Sequence, residues 1–280
     1  WGGFNVTEGG GDSAEVALEL MPGNKIRKYD TWHAMGQGAT TGSLVVTLEA
    51  LKEMHLTPED IQLIQNDTKT CPDTGMAGAS RSLYMDGNAT IIAANKLLAA
   101  MRKEDGTLRT YDEMKAEGIE TKYLGRYETN TTPGLCRLDP NTGIGDPTPA
   151  FTYCLNLAEV EVDTKTGKTT VLKFTCVDFV GRIGNIDAVN GQAYSGIMHG
   201  IGFALKEDYA DVKKHANMFG AGTSYIKDVP DDIDLIHIDG AISDGPFGSS
   251  GASEAFQASG HCAVLNGIYN ACGVRIHEIP

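Results

Sequence analysis

Four times in 280 residues a strand-like stretch runs into a glycine-rich loop and then into a helical pattern, at residues 36–41, 78–82, 191–196 and 248–253. This recurrence restricts the fold more than any other feature, because it imposes an alternation of short strands and helices joined by tight turns. Loops of this kind present unpaired backbone N–H groups, and the positive end of the following helix favours an anion. Four of them together point to a large polyanionic ligand gripped from several sides. Neither G-x-G-x-x-G after a strand nor G-x-x-x-x-G-K-[ST] occurs. A nucleotide-like cofactor therefore fits the chain, whereas Rossmann and P-loop binding do not.

The last of these loops, Asp244-Gly245-Pro246-Phe247-Gly248-Ser249-Ser250-Gly251-Ala252-Ser253-Glu254, is the most tightly turned. Glu254 falls in the first turn of the helix behind it. Taken alone, a glutamate there complements the helix dipole and need do no more. Asp244 stands before a Gly-Pro pair and reads as a turn cap.

In chain order, residues 14–20 alternate as a half-buried strand, and Pro22-Gly23-Asn24 turns them into a second strand over residues 25–32. A helix is predicted over 42–54, a strand over 61–65, and a long helix from the 78–82 loop to about residue 102. Residues 103–150 read as a polar surface excursion with one short helix near 111–116. Residues 151–162 and 168–179 alternate around Asp163-Thr164-Lys165-Thr166-Gly167, the clearest hairpin in the chain. A helix rich in small residues then reaches residue 205, 206–230 are irregular, and 233–238 form a strand. One last helix spans 252–272, and 274–276 close an edge. The expected class is α+β: two similar strand-and-helix subdomains, residues 1–150 and 151–280, with a cofactor in the crevice between them.

The net charge of −14 argues against nucleic acid or an anionic membrane as the main partner. No apolar run approaches the ~18 residues of a membrane span. The six cysteines form no C-x-x-C pair, which excludes a zinc ribbon or an iron–sulfur cluster built by this chain. They read as reduced, buried thiols, in keeping with a cytoplasmic location. The seven histidines show no H-E-x-x-H spacing, and no G-x-S-x-G elbow is present. The chain begins at Trp1 and reads as a piece of something longer.

The glycine-rich segments Gly36-Gln37-Gly38, Gly78-Ala79-Ser80-Arg81, Gly191-Gln192-Ala193-Tyr194 with Gly200-Ile201-Gly202, and Gly245-Pro246-Phe247-Gly248-Ser249-Ser250-Gly251 resemble the molybdenum hydroxylases of the xanthine oxidase family, and most closely the bacterial aldehyde oxidoreductases among them. The resemblance covers nearly the whole chain, as the C-terminal half of the molybdenum-binding region. It implies molybdenum held by the dithiolene of molybdopterin, extended to the cytosine dinucleotide, with no metal ligand from the protein. It places Met35, Gly36, Gln37 and Gly38 beside the metal and pterin. Ala79, Ser80, Arg81, Ser82, Asn185 and Gln192 fall on the dinucleotide, and Ser250, Gly251, Ala252 and Ser253 on the loop before the catalytic glutamate, Glu254.

That family hydroxylates its substrate with oxygen taken from water, and a carboxylate accepts the proton released. The resemblance further implies [2Fe-2S] clusters on a partner domain or chain, the remaining half of the molybdenum region, and in some members a flavin subunit. The family has Gly-Val-Gly-Glu where this chain has Gly251-Ala252-Ser253-Glu254, so a glycine's backbone freedom is lost next to the glutamate. Ala255-Phe256 replace the prolines common in purine enzymes, which favours an aldehyde substrate. An N-heterocycle such as a purine or nicotinate is the alternative substrate class. A cofactor-binding scaffold without turnover is the alternative role.

Overall fold

A computed structural model describes residues 2–3, 12–129, 139–145, 150–242 and 244–279. Two four-stranded sheets are each covered by helices, and both are built on one plan. In the first, β2 (Ser13–Met21) and β3 (Lys25–Asp30) form a hairpin, α1 (Ala39–Ala50) crosses over, and β4 (Ile61–Gln65) returns parallel to β3. In the second, β6 (Phe151–Val162) and β7 (Thr169–Phe179) form the hairpin, α4 (Ile186–Leu205) crosses over, and β8 (Asp232–His237) lies parallel to β7. The parallel strand is followed in each case by a long loop and more helix: α2 (Ser82–Met101) in the first layer, α5 (Ser253–Ala258) and α6 (Gly260–Cys272) in the second.

The fourth strand of each sheet comes from elsewhere. Antiparallel to β2 runs β5 (Lys122–Glu128), and antiparallel to β6 runs β1 (Gly2–Gly3), so residues from the start of the chain join the second sheet. A short helix α3 (Tyr111–Ala116) precedes β5, its Thr110 cap accepting from the Glu113 N–H.

Strand β5 is a correction to the expected surface excursion. It lies outside any hairpin, and Gly125 is there because α2 crosses it closely. A Cβ at 125 would sit 2.0 Å from the Ala89 carbonyl oxygen. Around that crossing, Leu18, Leu20, Ala93, Leu97 and Met114 are fully buried. The second core lies between β6–β7 and α4–α6, with Phe174, Ile197, Phe256 and Val264 fully buried. Each of these leucine, isoleucine, valine, phenylalanine and methionine side chains contributes roughly 1.5–3 kcal/mol by leaving water.

Residues 191–196 prove to be helix rather than loop. Helix α4 starts at Ile186, where the Asn185 Oδ1 accepts from the Ala188 N–H at 3.0 Å. Gly196 and Gly200 serve packing, since a Cβ at Gly196 would meet Phe256 Cβ at 2.5 Å and one at Gly200 would meet Gly260 Cα at 2.8 Å. The single last helix is two, broken at Ser259 (φ −122°, ψ 0°). Residues 274–276 make no strand. After the left-handed Gly273 (φ 74°), the Arg275 guanidinium stacks 3.9 Å from the Tyr269 ring and donates to Asn266 at 2.7 Å, so the tail folds back along α6.

An ionic network is sealed under the first layer. Lys28 and Asp86, both fully buried, pair at 2.6 Å, and Asp30 accepts from Ser43 (2.6 Å) and Gln65 (2.8 Å). Burial pushes the Asp86 carboxyl up to about 6 despite the Lys28 ammonium beside it. Among the described residues, no helix is long and apolar enough to cross a membrane. Of the described cysteines only Cys176 is buried. Cys262 and Cys272 face solvent, contrary to the expectation of buried thiols.

Candidate functional site

The shared plan leaves two loops per layer facing the other layer. Loop A (residues 33–38) follows β3 and loop B (66–81) follows β4. Loop C (180–185) follows β7 and loop D (238–252) follows β8. All four meet around a cavity of about 660 Å³. The glycine-rich pattern thus marked three of these loops correctly, and loop C takes the place assigned to residues 191–196.

Loop A is a tight turn with Gly36 and Gly38 at positive φ (100° and 86°), which side chains rarely adopt. The Gln37 amide clamps it: Oε1 accepts from the Met35 N–H at 2.5 Å, and Nε2 donates to the His33 carbonyl at 2.6 Å. Trp32, buried, forms the wall beneath, with Gly42 of α1 seated on its ring.

Loop B carries two successive left-handed residues without a glycine, Ala79 (φ 50°) and Ser80 (φ 56°). Such conformations cost of order 1–3 kcal/mol each and persist only where neighbours enforce them. Arg81 is what enforces them. Its guanidinium is buried, pairs with Asp12 at 2.5 and 2.8 Å, and donates to the carbonyls of Thr74 (3.2 Å), Met76 (2.6 Å) and Ser13 (3.2 Å). Every direction of the fork is used inside the first layer. The expected phosphate contact of Arg81 is therefore not what its side chain makes here.

Loop D is laced to both neighbours. Toward loop C, the Arg182 N–H donates to Gly248 O at 2.9 Å, the Ser250 N–H to Val180 O at 3.1 Å, and the Ser249 hydroxyl to Arg182 O at 2.6 Å. Toward loop B, Gly251 lies flat on Ser80, where an added Cβ would stand 1.6 Å from the Ser80 carbonyl oxygen. The Glu254 N–H donates to Ser80 Oγ at 3.2 Å, and that hydroxyl donates to Glu254 Oε2. Ser80 thus caps α5 across the crevice, a task that Ala252 at the cap position cannot perform. Ser253 is the first residue of α5 and has no left-handed φ, so the serine in place of a family glycine meets no backbone conflict.

Of the sequence-predicted residues, Met35, Gln37, Gly38, Ser80, Ser82, Asn185 and Gln192 lie on the cavity wall, as do Ser250, Gly251, Ala252, Ser253 and Glu254. Gly36, Ala79 and Arg81 support the loops from behind. Asp244 is off the wall, its carbonyl accepting from Asn88 at 3.1 Å. Sequence reasoning missed Trp32, Glu49, Phe247 and Arg182 on the wall. Arg182 is the only Lys or Arg there, and its guanidinium has no hydrogen bond or ion pair among the described residues. A basic residue between the glycines of Gly181-Arg182-Ile183-Gly184, at a strand-to-helix turn, was the available signal. Glu49 and Glu254 are the two wall carboxylates; Glu49 pairs with Lys52 at 3.0 Å. Among the described residues, no group of three or more His, Cys, Asp or Glu is placed to hold a metal.

Comparison with known proteins agrees with this geometry. An aldehyde oxidoreductase of Megalodesulfovibrio gigas is 41% identical over 271 residues, covering 97% of this chain and 30% of the relative. The crystal structure of the aldehyde oxidoreductase from Desulfovibrio desulfuricans superposes with a TM-score of 0.92 at 42% identity, over 100% of this chain and 30% of that one. The enzyme from Desulfovibrio gigas gives 0.93 at 39% identity, with the same coverage. The chain therefore spans about 30% of the length of these relatives. The family model for the molybdopterin cofactor-binding domain matches residues 2–230, leaving β8, the whole of loop D and helices α5 and α6 beyond its end. With four loops closing on one cavity and that match over most of its length, the chain belongs to the molybdopterin cofactor-binding domain family.

Proposed function

We propose that this chain is the molybdenum-cofactor-binding part of an aldehyde oxidoreductase, converting an aldehyde to a carboxylic acid with oxygen from water, and that Glu254 is its general base. The observation that carries the reading is the position of Glu254: on the cavity wall, in the first turn of α5, with one carboxylate oxygen held by Ser80. The identity to an aldehyde oxidoreductase supports the substrate class.

The residues present fit the cofactor. Arg182 offers an uncommitted guanidinium to a pyrophosphate, which it can hold by charge-assisted hydrogen bonds. Asn185, whose oxygen caps α4, and Gln192 stand near it on the wall for a cytosine dinucleotide. Gln37 and Gly38 face the cavity from loop A for the pterin. When bound, the molybdopterin centre supplies the two-electron oxidation and the oxygen atom drawn from water.

The chain's own part is positioning and proton transfer. Ser80 fixes Oε2 of Glu254, so Oε1 is the oxygen left to accept the proton from the attacking oxygen. Trp32 and Phe247 add aromatic surface to the same wall, and the Glu254 side chain is open to solvent. Apart from Gly2–Gly3, which pair with β6, the part before residue 151 forms one side of the cavity and the part from 151 on the other. The rest of the molybdenum region completes the substrate pocket, and a [2Fe-2S]-bearing domain or chain, with a flavin subunit in some assemblies, receives the electrons, in the cytoplasm.

Glu254→Gln in the intact enzyme tests the base. The change keeps the volume and the Ser80 contact but removes the acceptor, so turnover of aldehydes should fall about 10²–10⁴-fold. Molybdenum and nucleotide content should match the parent. Near-normal turnover by a fully loaded Glu254→Gln enzyme defeats the assignment.

A further inference from the structure

Strands β6 and β7 bring two thiols together in the second core. Cys154 Sγ and Cys176 Sγ lie 3.3 Å apart on the sheet face that packs toward α6. In the register Cys154 faces Asp178 and Cys176 faces Asn156, so the two cysteines are diagonal neighbours. Cys176 is fully buried and Cys154 half-buried. The Cys154 thiol also lies 3.8 Å from Asn156 Oδ1, and Asn156 is itself held by a 2.9 Å bond to Ser259 Oγ at the break between α5 and α6.

The other described cysteines lack such a neighbour. Cys71 donates to Ile64 O at 3.1 Å, Cys272 to Ile268 O at 3.2 Å, and Cys262 is exposed. A disulfide needs ~2.05 Å between sulfurs, so the pair must close by a little over an ångström. The hydrogen bond shared by the two thiols lowers Cys154 and raises Cys176 from their ordinary values, which makes Cys154 the better attacking thiolate. Cys154 is also the one that a small oxidant can reach.

We propose that Cys154 and Cys176 are a reversible modification site, forming a cross-strand disulfide when a hydroperoxide oxidises Cys154. The thiolate of Cys154 attacks the peroxide O–O bond, giving the sulfenic acid and releasing water from hydrogen peroxide after protonation. The Cys176 thiol then attacks the Cys154 sulfur, its proton leaves with the hydroxyl as a second water, and the S–S bond forms. Two electrons pass from the dithiol to the peroxide. Beyond the crossing, β7 continues through Asp178 to Val180 and Arg182 of loop C, so the link would stiffen the strand that ends at the cavity wall.

The test uses the intact enzyme, reduced, freed of reductant and titrated with hydrogen peroxide before alkylation, digestion and peptide mapping. The expected result is loss of two alkylatable thiols per chain, at Cys154 and Cys176, as one linked peptide pair that dithiothreitol restores. In Cys154→Ser the Cys176 thiol should stay alkylatable at the same peroxide dose. In Cys176→Ser, Cys154 should run on to the sulfinic acid, which dithiothreitol does not recover. The parent enzyme alone decides the matter if the buried Cys176→Ser variant fails to fold. Full recovery of both alkylated thiols at doses that oxidise the exposed Cys262, or links of Cys154 to any cysteine other than Cys176, would overturn the proposal.

Discussion

Gly251→Ala probes the closest contact between the layers. The added Cβ would start 1.6 Å from the Ser80 carbonyl oxygen, whereas real Cβ atoms do not come within 3.0 Å of such a neighbour. Loops B and D must therefore part by at least 1.4 Å. The obstacle is backbone, already locked in a left-handed conformation and braced by Arg81, so a side-chain rotation cannot relieve it. A displacement of that size takes the Glu254 N–H from 3.2 Å out of hydrogen-bond range of Ser80 Oγ and releases the carboxylate. Overpacking costs about 1–3 kcal/mol of stability, and misplacing a catalytic group by an ångström costs about 10²-fold in rate. Gly251→Ala should thus fold, lose at least about 10²-fold in kcat on an aldehyde, and show a lowered denaturation midpoint. The measurements are steady-state kinetics normalised to molybdenum content, beside urea unfolding of the same preparation. A fully loaded Gly251→Ala enzyme with kcat and midpoint near those of the parent would show that the loops do not meet as described.

The two arginines should part company. Arg182→Ala should weaken cofactor retention in dialysis by roughly ten- to a hundredfold with unchanged stability, whereas Arg81→Ala should cost about 3 kcal/mol or more in urea unfolding by stranding the largely buried Asp12. Asp86 should give a pH signature: its folded carboxyl titrates at about 6 against an ordinary 3.8, so between those values the folded state holds the extra proton. Stability from this group is then greatest below pH 4 and declines as pH rises to about 6, by up to ~3 kcal/mol at 1.36 kcal/mol per unit. The comparison of parent and Asp86→Asn midpoints across pH 4–7 should show this decline only in the parent. Gly191→Ala, on an exposed part of α4 where a Cβ meets nothing, should raise stability by about 0.5–1 kcal/mol, and a lower midpoint would contradict the helix found there.

Local signals told the truth where the structure is local. The strand Ile61–Gln65, the helix Tyr111–Ala116 and the long hairpin are specified by short-range alternation, capping and turn residues, and all stand where the sequence put them. Strand β5 was illegible because its outward positions mix Lys122, Arg126 and Glu128 with an exposed Leu124, a glycine faces the helix, and its partner β2 is more than a hundred residues away. The helical glycines 196 and 200 resembled a loop because close helix crossings and tight turns call on the same residue, whereas Gly191 makes no close contact. Arg81 misled for a similar reason. A glycine-flanked arginine suits a phosphate, but it equally suits a buried carboxylate, and only the tertiary fold brings Asp12 to it.

The cap that Ser80 places on α5 also bears on how the chain is made. The two residues are 174 positions apart, so the first turn of α5 lacks its partner until both layers exist and have met. Loops A and B leave the ribosome well over a hundred residues ahead of loop D, and the first layer can fold while the second is still unmade. Neither layer alone encloses the cavity, since its walls are shared by loops at residues 33–82 and 180–254. A cofactor that arrives early therefore meets half a binding site, and its capture becomes the last step of folding, joining two structures that already exist.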